Sequence, residues 1–447
     1  MSKTLKQRSI RSGSWVVFGH LSSQVLRLGS NLILTRLLVP EMFGIMAIVT
    51  VIMSGLAMFS DVGLLQNIVQ SKRGEETDYL NTAWTIQIIR GCLIFFIALI
   101  LSAFLYYLGI IGYLPADTVY GHVELPLILA IVSLTSIISG FNSIQILVLN
   151  RRLMMGKLIV IELVSQIIGL VFMLTWAWYQ HDIWALVYGS MLTAFMNMLL
   201  SHAVIKERCA FRWDKNAVNE IFHFGKWIFL SSIFGFLLNH GDRVLLGGLI
   251  SSEQLGVYTI AFFLANALKD VLSKLISSVF YPVLSETLRN SPDDLENSYY
   301  KIRNKIDVIA FFVAGFMYAT GETIIQILYD PRYYDAGWML QILSLSLIAI
   351  GFHLSGECFL AYGKSKIVST TIFIQTFSFY VILPFLFFEY GMLGAVWALV
   401  AISIVRIIVS SIYMKIYIFY NWKKEIIMLP FIPIGYLYGD IVKQVIL

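Results

Sequence analysis

The chain has 447 residues, of which 58% are apolar and only 13% charged, and its mean hydropathy is +0.78. Soluble globular chains carry about 25% charged residues, so this charge density cannot clothe a water-facing surface and excludes a large soluble domain. The roughly 259 apolar residues supply a dozen spanning helices of about 20 residues each, and the net charge of +5 reflects where the loops lie rather than a nucleic-acid partner.

The basic start MSKTLKQRSIR runs into an apolar stretch too long for a signal-peptide core, so the first helix is expected to stay in the mature protein. Apolar segments follow at 14–38, 42–65, 82–109, 125–149, 158–179, 184–204, 227–250, 256–281, 306–329, 338–361, 367–388 and 394–414. That predicts twelve spans. A last stretch, 426–439, is short and holds Pro430 and Pro433, which marks it as re-entrant, interfacial, or a span cut off by the end of the chain. With the N-terminus inside, the interior segments carry 23 Lys and Arg, from Lys3 to Lys424, whereas the outside loops between the twelve helices carry one, Arg332. This asymmetry sets the orientation, with both ends of the twelve-helix core inside. The outside loops are short, and the interior loops at 205–226 and 282–305 read as amphipathic surface segments.

Sliding the sequence on itself by 212 residues aligns 13–48 with 225–260 without a gap, with nine identities in 36. Gly13, Trp15, Leu26, Gly29, Leu34, Leu37, Glu41, Gly44 and Ile48 meet Gly225, Trp227, Leu238, Gly241, Leu246, Leu249, Glu253, Gly256 and Ile260. Helix 7 therefore repeats helix 1 in the same orientation. The expected fold is an all-α polytopic membrane protein of two pseudo-symmetric six-helix lobes around a central cavity, divided as 1–208, 209–420 and a partial or interfacial tail, 421–447.

A charge at the bilayer centre costs about 2.5–3.5 kcal/mol on insertion scales, so charged residues within spans face a cavity or a partner. Seven bases remain there, Arg27, Arg36, Arg90, Arg243, Lys269, Lys274 and Arg406, with six acids, Asp61, Glu162, Asp242, Asp270, Glu322 and Glu357. Arg36, Arg90 and Lys274 lie near span ends and are free to snorkel. On helix 1, His20, Gln24, Arg27 and Asn31 are spaced by four, three and four residues, which places them on one stripe that should face water. In the repeat, Arg27 and Asn31 correspond to Asn239 and Arg243. A base and an amide thus recur one turn apart on each lobe, the pattern an anion-gripping cleft needs. The simpler reading of Arg243 is an ion pair with Asp242. Helix 8 adds Lys269 on a polar face with Asn266, Asp270 and Ser273. His353 and Glu357, four apart, read as a buried hydrogen-bonded pair.

No HExxH, GxSxG or Walker sequence is present; YGKSK at 362–366 follows Cys358 where the first P-loop glycine should stand. Cys92, Cys209 and Cys358 are far apart and form no CxxC pair, so neither a disulfide framework nor a metal site is supported. The reading is of a transporter, not an enzyme, with no cofactor. A proton or sodium gradient is the candidate energy source, and Asp61, Glu162, Glu322 and Glu357 are the candidate coupling carboxylates; no motif selects among them.

The segments RLLVPEMFGIMAIV, FSDVGLLQNIVQ, LNTAWTIQIIRG, GDRVLLGGLISSEQLGVYTIA and AYGKSK resemble the polysaccharide-transport (Wzx-type) flippases of the MOP exporter superfamily. The resemblance covers nearly the whole twelve-helix core and is strongest over 30–92 and 240–262. It implies two lobes around a cavity and a bacterial inner-membrane flippase for an oligosaccharide on undecaprenyl diphosphate, a precursor of lipopolysaccharide or exopolysaccharide. The implied surroundings are the lipid bilayer and the polysaccharide polymerase and chain-length machinery. Members often have two further C-terminal helices, where this chain has only its short tail. The family's cationic cavity is consistent with Arg27, Arg243 and Lys269 as contacts for diphosphate or acidic sugars, leaving Asn31, Asn239, His20 and Gln24 for sugar hydroxyls. Two alternatives stay open: a cation-coupled multidrug exporter of the same superfamily, and an integral-membrane glycosyltransferase or polymerase.

Overall fold

A computed structural model describes residues 3–204 and 209–446, and among these every regular element is a helix. Lys206 and Arg208, counted above with the interior bases, and a lobe boundary drawn after residue 208 fall at or within 205–208, outside the described residues. The chain forms two compact units, Met1–Gly256 and Val257–Leu447.

The first unit holds α1 (Lys3–Leu37), α2 (Pro40–Phe59), α3 (Leu64–Gln70), α4 (Thr77–Ile110), α5 (Leu125–Val132), α6 (Leu134–Gly140), α7 (Gln145–Arg151), α8 (Met155–Gln180), α9 (Trp184–Val204) and α10 (Lys215–Leu246). The unit boundary falls within α11 (Ser252–Leu275). The second unit continues with α12 (Tyr281–Asn290), α13 (Leu295–Leu328), α14 (Ala336–Ser344), α15 (His353–Ala361), α16 (Ser365–Tyr417), α17 (Trp422–Ile426) and α18 (Phe431–Ile446). Each of the twelve predicted apolar segments coincides with one of these helices or with a short run of them. Among the described residues, nine helical stretches are long and apolar enough to cross a membrane, and the bent stretch 125–151 would make a tenth. The 53-residue α16 covers two predicted spans, because Gly391, at φ +60°, breaks it where an L side chain would be strained. Exposed Ile89, Leu93, Phe96, Ile97, Ile100 and Phe104 form one stripe of α4 at helical spacing, the face that meets lipid. Tyr106, Tyr107, Trp178 and Tyr179 crowd the C-terminal ends of α4 and α8 with their rings exposed, as aromatic side chains do at a membrane interface.

Within the first unit, helices approach through small residues, because in lipid close packing rather than water exclusion holds them together. Gly19 of α1 lies under Ile159 of α8, and Gly156 lies under Trp15. At the start of α11 the repeat meets itself. A Cβ on Gly44 would overlap the carbonyl oxygen of Ser252, and one on Gly256 would overlap that of Pro40. These are pairs related by the 212-residue shift, so the duplication is built into a reciprocal backbone contact. At the opposite end of α10, Asp214 caps the helix by accepting from the Asn216 amide and pairs with Arg73 at 3.0 Å. The Arg73 guanidinium holds the Asp214 carboxyl below the usual carboxylate range.

The second unit corrects two expectations. The interior segment 282–305 is not wholly a surface segment: its second half is the first three turns of α13, where Leu295, Tyr299, Tyr300 and Arg303 are buried. Arg303, read from the sequence as a loop cation, is 2% exposed and pairs with Asp307 at 3.2 Å and Glu425 at 2.7 Å. Its Nη1 donates to the Tyr299 hydroxyl at 2.9 Å, and its guanidinium stacks 3.8 Å from the Phe352 ring. Gly351 leaves the room into which Asp307 reaches. Tyr300 donates to Glu425 at 3.1 Å and accepts from the Asn421 amide at 2.9 Å, while Lys424 pairs with Glu296 at 2.9 Å. The chain after α16 is thus fastened to α13 by charge at one end. Farther along, it is fastened by shape: Gly315 and Gly435 each lie against a carbonyl oxygen of the partner helix, Ile432 and Phe312, and Gly439 lies against Ala319. The stretch Trp422–Val445 is itself long and apolar enough to cross.

Candidate functional site

The α1 helix presents two adjoining faces. One packs on α8, where Ser23 Oγ donates to Gln166 Oε1 at 2.9 Å. The next carries His20, Gln24, Arg27 and Asn31, the stripe the spacing predicts. His20 Nε2, Gln24 Oε1 and Asn31 Oδ1 are buried and have no hydrogen-bond partner among the described residues. Buried side-chain polar atoms are nearly always paired, because leaving one unpaired costs about 1–3 kcal/mol. Three such atoms along one stripe set this polar face of α1 apart from the rest of the helix. Arg27, in their midst, is exposed and has no ion pair among the described residues. The Arg27 guanidinium offers donors to an oxyanion, whereas the unsatisfied Gln24 Oε1 and Asn31 Oδ1 are acceptors suited to hydroxyls, so the stripe fits a ligand that carries both.

In the same unit, α10 carries the repeat's counterpart. It packs on α2 through Phe236, whose ring lies against Gly55 and 5.0 Å from the Phe59 ring. Asn239 is exposed and its Nδ2 donates to the Gly235 carbonyl at 2.8 Å. Arg243 Nε lies 3.9 Å from Asp242 Oδ2, with side chains 18% and 4% exposed. That is an ion pair too long for a hydrogen bond between these two atoms. Between them His240 stacks on Phe236 at 5.3 Å and buries an Nδ1 that accepts no hydrogen bond from the described residues. The sequence reading passed over His240, although the NHGDR run that contains it was legible.

Lys269 belongs to the second unit, half-buried on α11, one turn from Asn266, whose Nδ2 donates to the Phe262 carbonyl at 2.8 Å. His353 is not paired with Glu357 as expected: its Nε2 accepts from Arg406 Nη1, since a guanidinium can only donate.

The four candidate coupling carboxylates divide equally between the two units. Asp61 accepts from the Gly63 amide at 2.9 Å and lies 4.0 Å from Arg90. Glu162 is exposed on α8, Glu322 is exposed on α13, and Glu357 is half-buried on α15. Among the described residues no three His, Cys, Asp or Glu side chains come together as a metal site would require. Arg90 does not snorkel into water but folds back on α2, donating to the Ala57 carbonyl at 2.6 Å and Ser60 Oγ at 3.1 Å.

A family model described as polysaccharide biosynthesis protein matches residues 33–337. A Klebsiella pneumoniae membrane protein encoded in the cps region is 21% identical over 439 residues, spanning 96% of this chain and 87% of that protein. The lipopolysaccharide biosynthesis protein WzxC of Escherichia coli K12 is 19% identical over 456 residues, spanning 98% and 89%. Among solved structures, the lipid II flippase MurJ in an inward closed conformation superposes with a TM-score of 0.70 at 12% identity, covering 98% of this chain and 93% of that one.

Proposed function

Because the chain belongs to the polysaccharide biosynthesis protein family, among the Wzx-type transporters of the MOP exporter superfamily, we propose that it flips an undecaprenyl-diphosphate-linked oligosaccharide across the bacterial inner membrane by alternating access. The observation that carries this reading is the α1 stripe, an unpaired Arg27 among three buried, unsatisfied polar atoms. A bare diphosphate in hydrocarbon carries a very large desolvation cost. Fixed guanidinium groups replace part of its hydration, and the lipid tail never leaves the bilayer. In this account Arg27, Arg243 and Lys269 hold the diphosphate or acidic sugars, and His20, Gln24, Asn31 and Asn239 hold sugar hydroxyls. A proton or sodium gradient drives return of the empty carrier, through one of Asp61, Glu162, Glu322 or Glu357. The N-terminus lies in the cytoplasm, a placement supported by the excess of Lys and Arg in the interior loops, and the product is handed to the polymerase and chain-length machinery.

A deletion strain tests the reading. Surface polysaccharide is expected to vanish, single units included, while lipid-linked units accumulate inside. Single units persisting at the surface would make the protein a polymerase. Drug hypersensitivity with intact polysaccharide would make it a drug exporter.

A further inference from the structure

The first unit holds an open cavity that α1 does not line, of about 580 Å³, among α2, α4, α9 and the broken stretch α5–α7. From this cavity we infer a binding site for a neutral polyhydroxylated ring, a sugar of the cargo. Its volume falls in the range of small-molecule sites, about 300–1,000 Å³. Discontinuous spans are where transporter sites form, and here the chain bends by 63° between Leu125–Gly140 and Gln145–Arg151. The break is stabilised from α4: Gln87 Nε2 donates to the carbonyls of Gly140 and Asn142, each at 2.9 Å, and Trp84 Nε1 donates to Asn142 O at 3.1 Å. Those bonds satisfy the backbone and leave the side chain of Asn142, whose Oδ1 is buried with no hydrogen-bond partner among the described residues.

The lining decides the class of ligand. Thr50, Ser54, Ser139 and Asn197 line the cavity and make no side-chain hydrogen bond to the described residues. Hydroxyls inside a span usually bond their own helix, as Thr193 does to the Gly189 carbonyl at 2.9 Å. These do not, so their donors and acceptors are on offer. The one ionised group in the lining, Arg90, is held by the Ala57 carbonyl and Ser60 Oγ, with Asp61 at 4.0 Å to balance it. The cavity therefore presents no free charge to attract an anion, and no carboxylate to hold an organic cation. Met46 and Met53 add soft apolar walls for the C–H faces of a ring. The inference rests on the flippase reading for the source of the sugar, but not for the binding.

The test uses the full-length protein in nanodiscs with Cys92, Cys209 and Cys358 replaced and Ala194→Cys placed in the cavity wall. The rate of methanethiosulfonate labelling is measured with millimolar glucose, galactose or N-acetylglucosamine, with inorganic pyrophosphate, and with sodium chloride against potassium chloride. At least one sugar is expected to slow labelling, and pyrophosphate and sodium to leave it unchanged. Asn142→Ala and, separately, Asn197→Ala are each expected to raise the half-protecting sugar concentration about tenfold, the scale of one lost hydrogen bond. Two variants, one in the break after α6 and one on α9, guard against misfolding of either. Protection by no sugar, equal protection by pyrophosphate, or protection by sodium overturns the site. Labelling that fails to respond to sugar while the deletion strain still loses its polysaccharide removes this site and spares the flippase. The reverse result does the opposite.

Discussion

Replacing Arg27 and Arg243 together by alanine is expected to abolish surface polysaccharide while the protein still reaches the membrane in normal amount. The separation of the two effects follows from what each side chain touches. Arg27 is exposed and has no ion pair among the described residues, so its removal leaves no buried acid uncompensated. Arg243 lies 3.9 Å from Asp242, whose side chain is 4% exposed, so Asp242→Asn accompanies its removal to leave no buried charge unbalanced. The cargo loses much more. A hydrogen bond to a charged group contributes about 1.5–3 kcal/mol, so two lost contacts to a diphosphate amount to roughly two to four decades in affinity. Immunoblots of membranes beside quantified surface polysaccharide read both effects in one strain. Export persisting in this variant would remove these residues from the pathway, and a vanished protein would show that they serve packing instead. Arg→Lys at either position keeps the charge and loses the planar fork, so partial export is expected there.

Arg303→Met should have the opposite signature, with the protein itself lost. The guanidinium is 2% exposed and compensates both Asp307 and Glu425. Truncating one partner of a buried ionic group strands the others, at a cost of about 3–5 kcal/mol, whereas replacing the whole group with apolar residues is often close to neutral. Arg303→Met alone is therefore expected to lower the thermal midpoint in detergent sharply and to deplete the membrane of protein. Combining it with Asp307→Leu and Glu425→Met should recover much of the loss. An unchanged melting curve for the single variant would mean that water reaches the cluster and that the tail is not fastened by it.

The contrast between these two arginines shows how much of the molecule was legible in its residues. Apolar run lengths located the spans, because hydrocarbon thickness leaves few alternatives. The 212-residue repeat aligned Gly44 with Gly256, and the structure adds that the two positions approach each other's copy reciprocally, where only small residues fit. The four-three-four spacing found the α1 stripe, because the residues sharing a helical face are fixed by geometry alone. Arg303 was missed for an equally physical reason. A charged, polar run between two spans has the composition of a surface loop, and its acidic partner Glu425 lies 122 positions away in a segment with no periodic signal. The same long-range blindness concealed that His353 turns to Arg406 rather than to Glu357, its neighbour one turn along. It also concealed the cavity at the broken stretch, where Asn142, in the break between α6 and α7, and Asn197 of α9 come from segments that no spacing rule connects.

The most direct test is translocation by the purified protein. In proteoliposomes loaded with undecaprenyl-diphosphate-linked oligosaccharide, the fraction of sugar open to an impermeant oxidant in the outer leaflet is followed with time. The account predicts that the protein brings the inner-leaflet sugar within reach of the oxidant and that the Arg27→Ala, Asp242→Asn, Arg243→Ala variant does not exceed protein-free vesicles. Exposure at the protein-free rate with the unaltered protein, or at an undiminished rate with that variant, would contradict it.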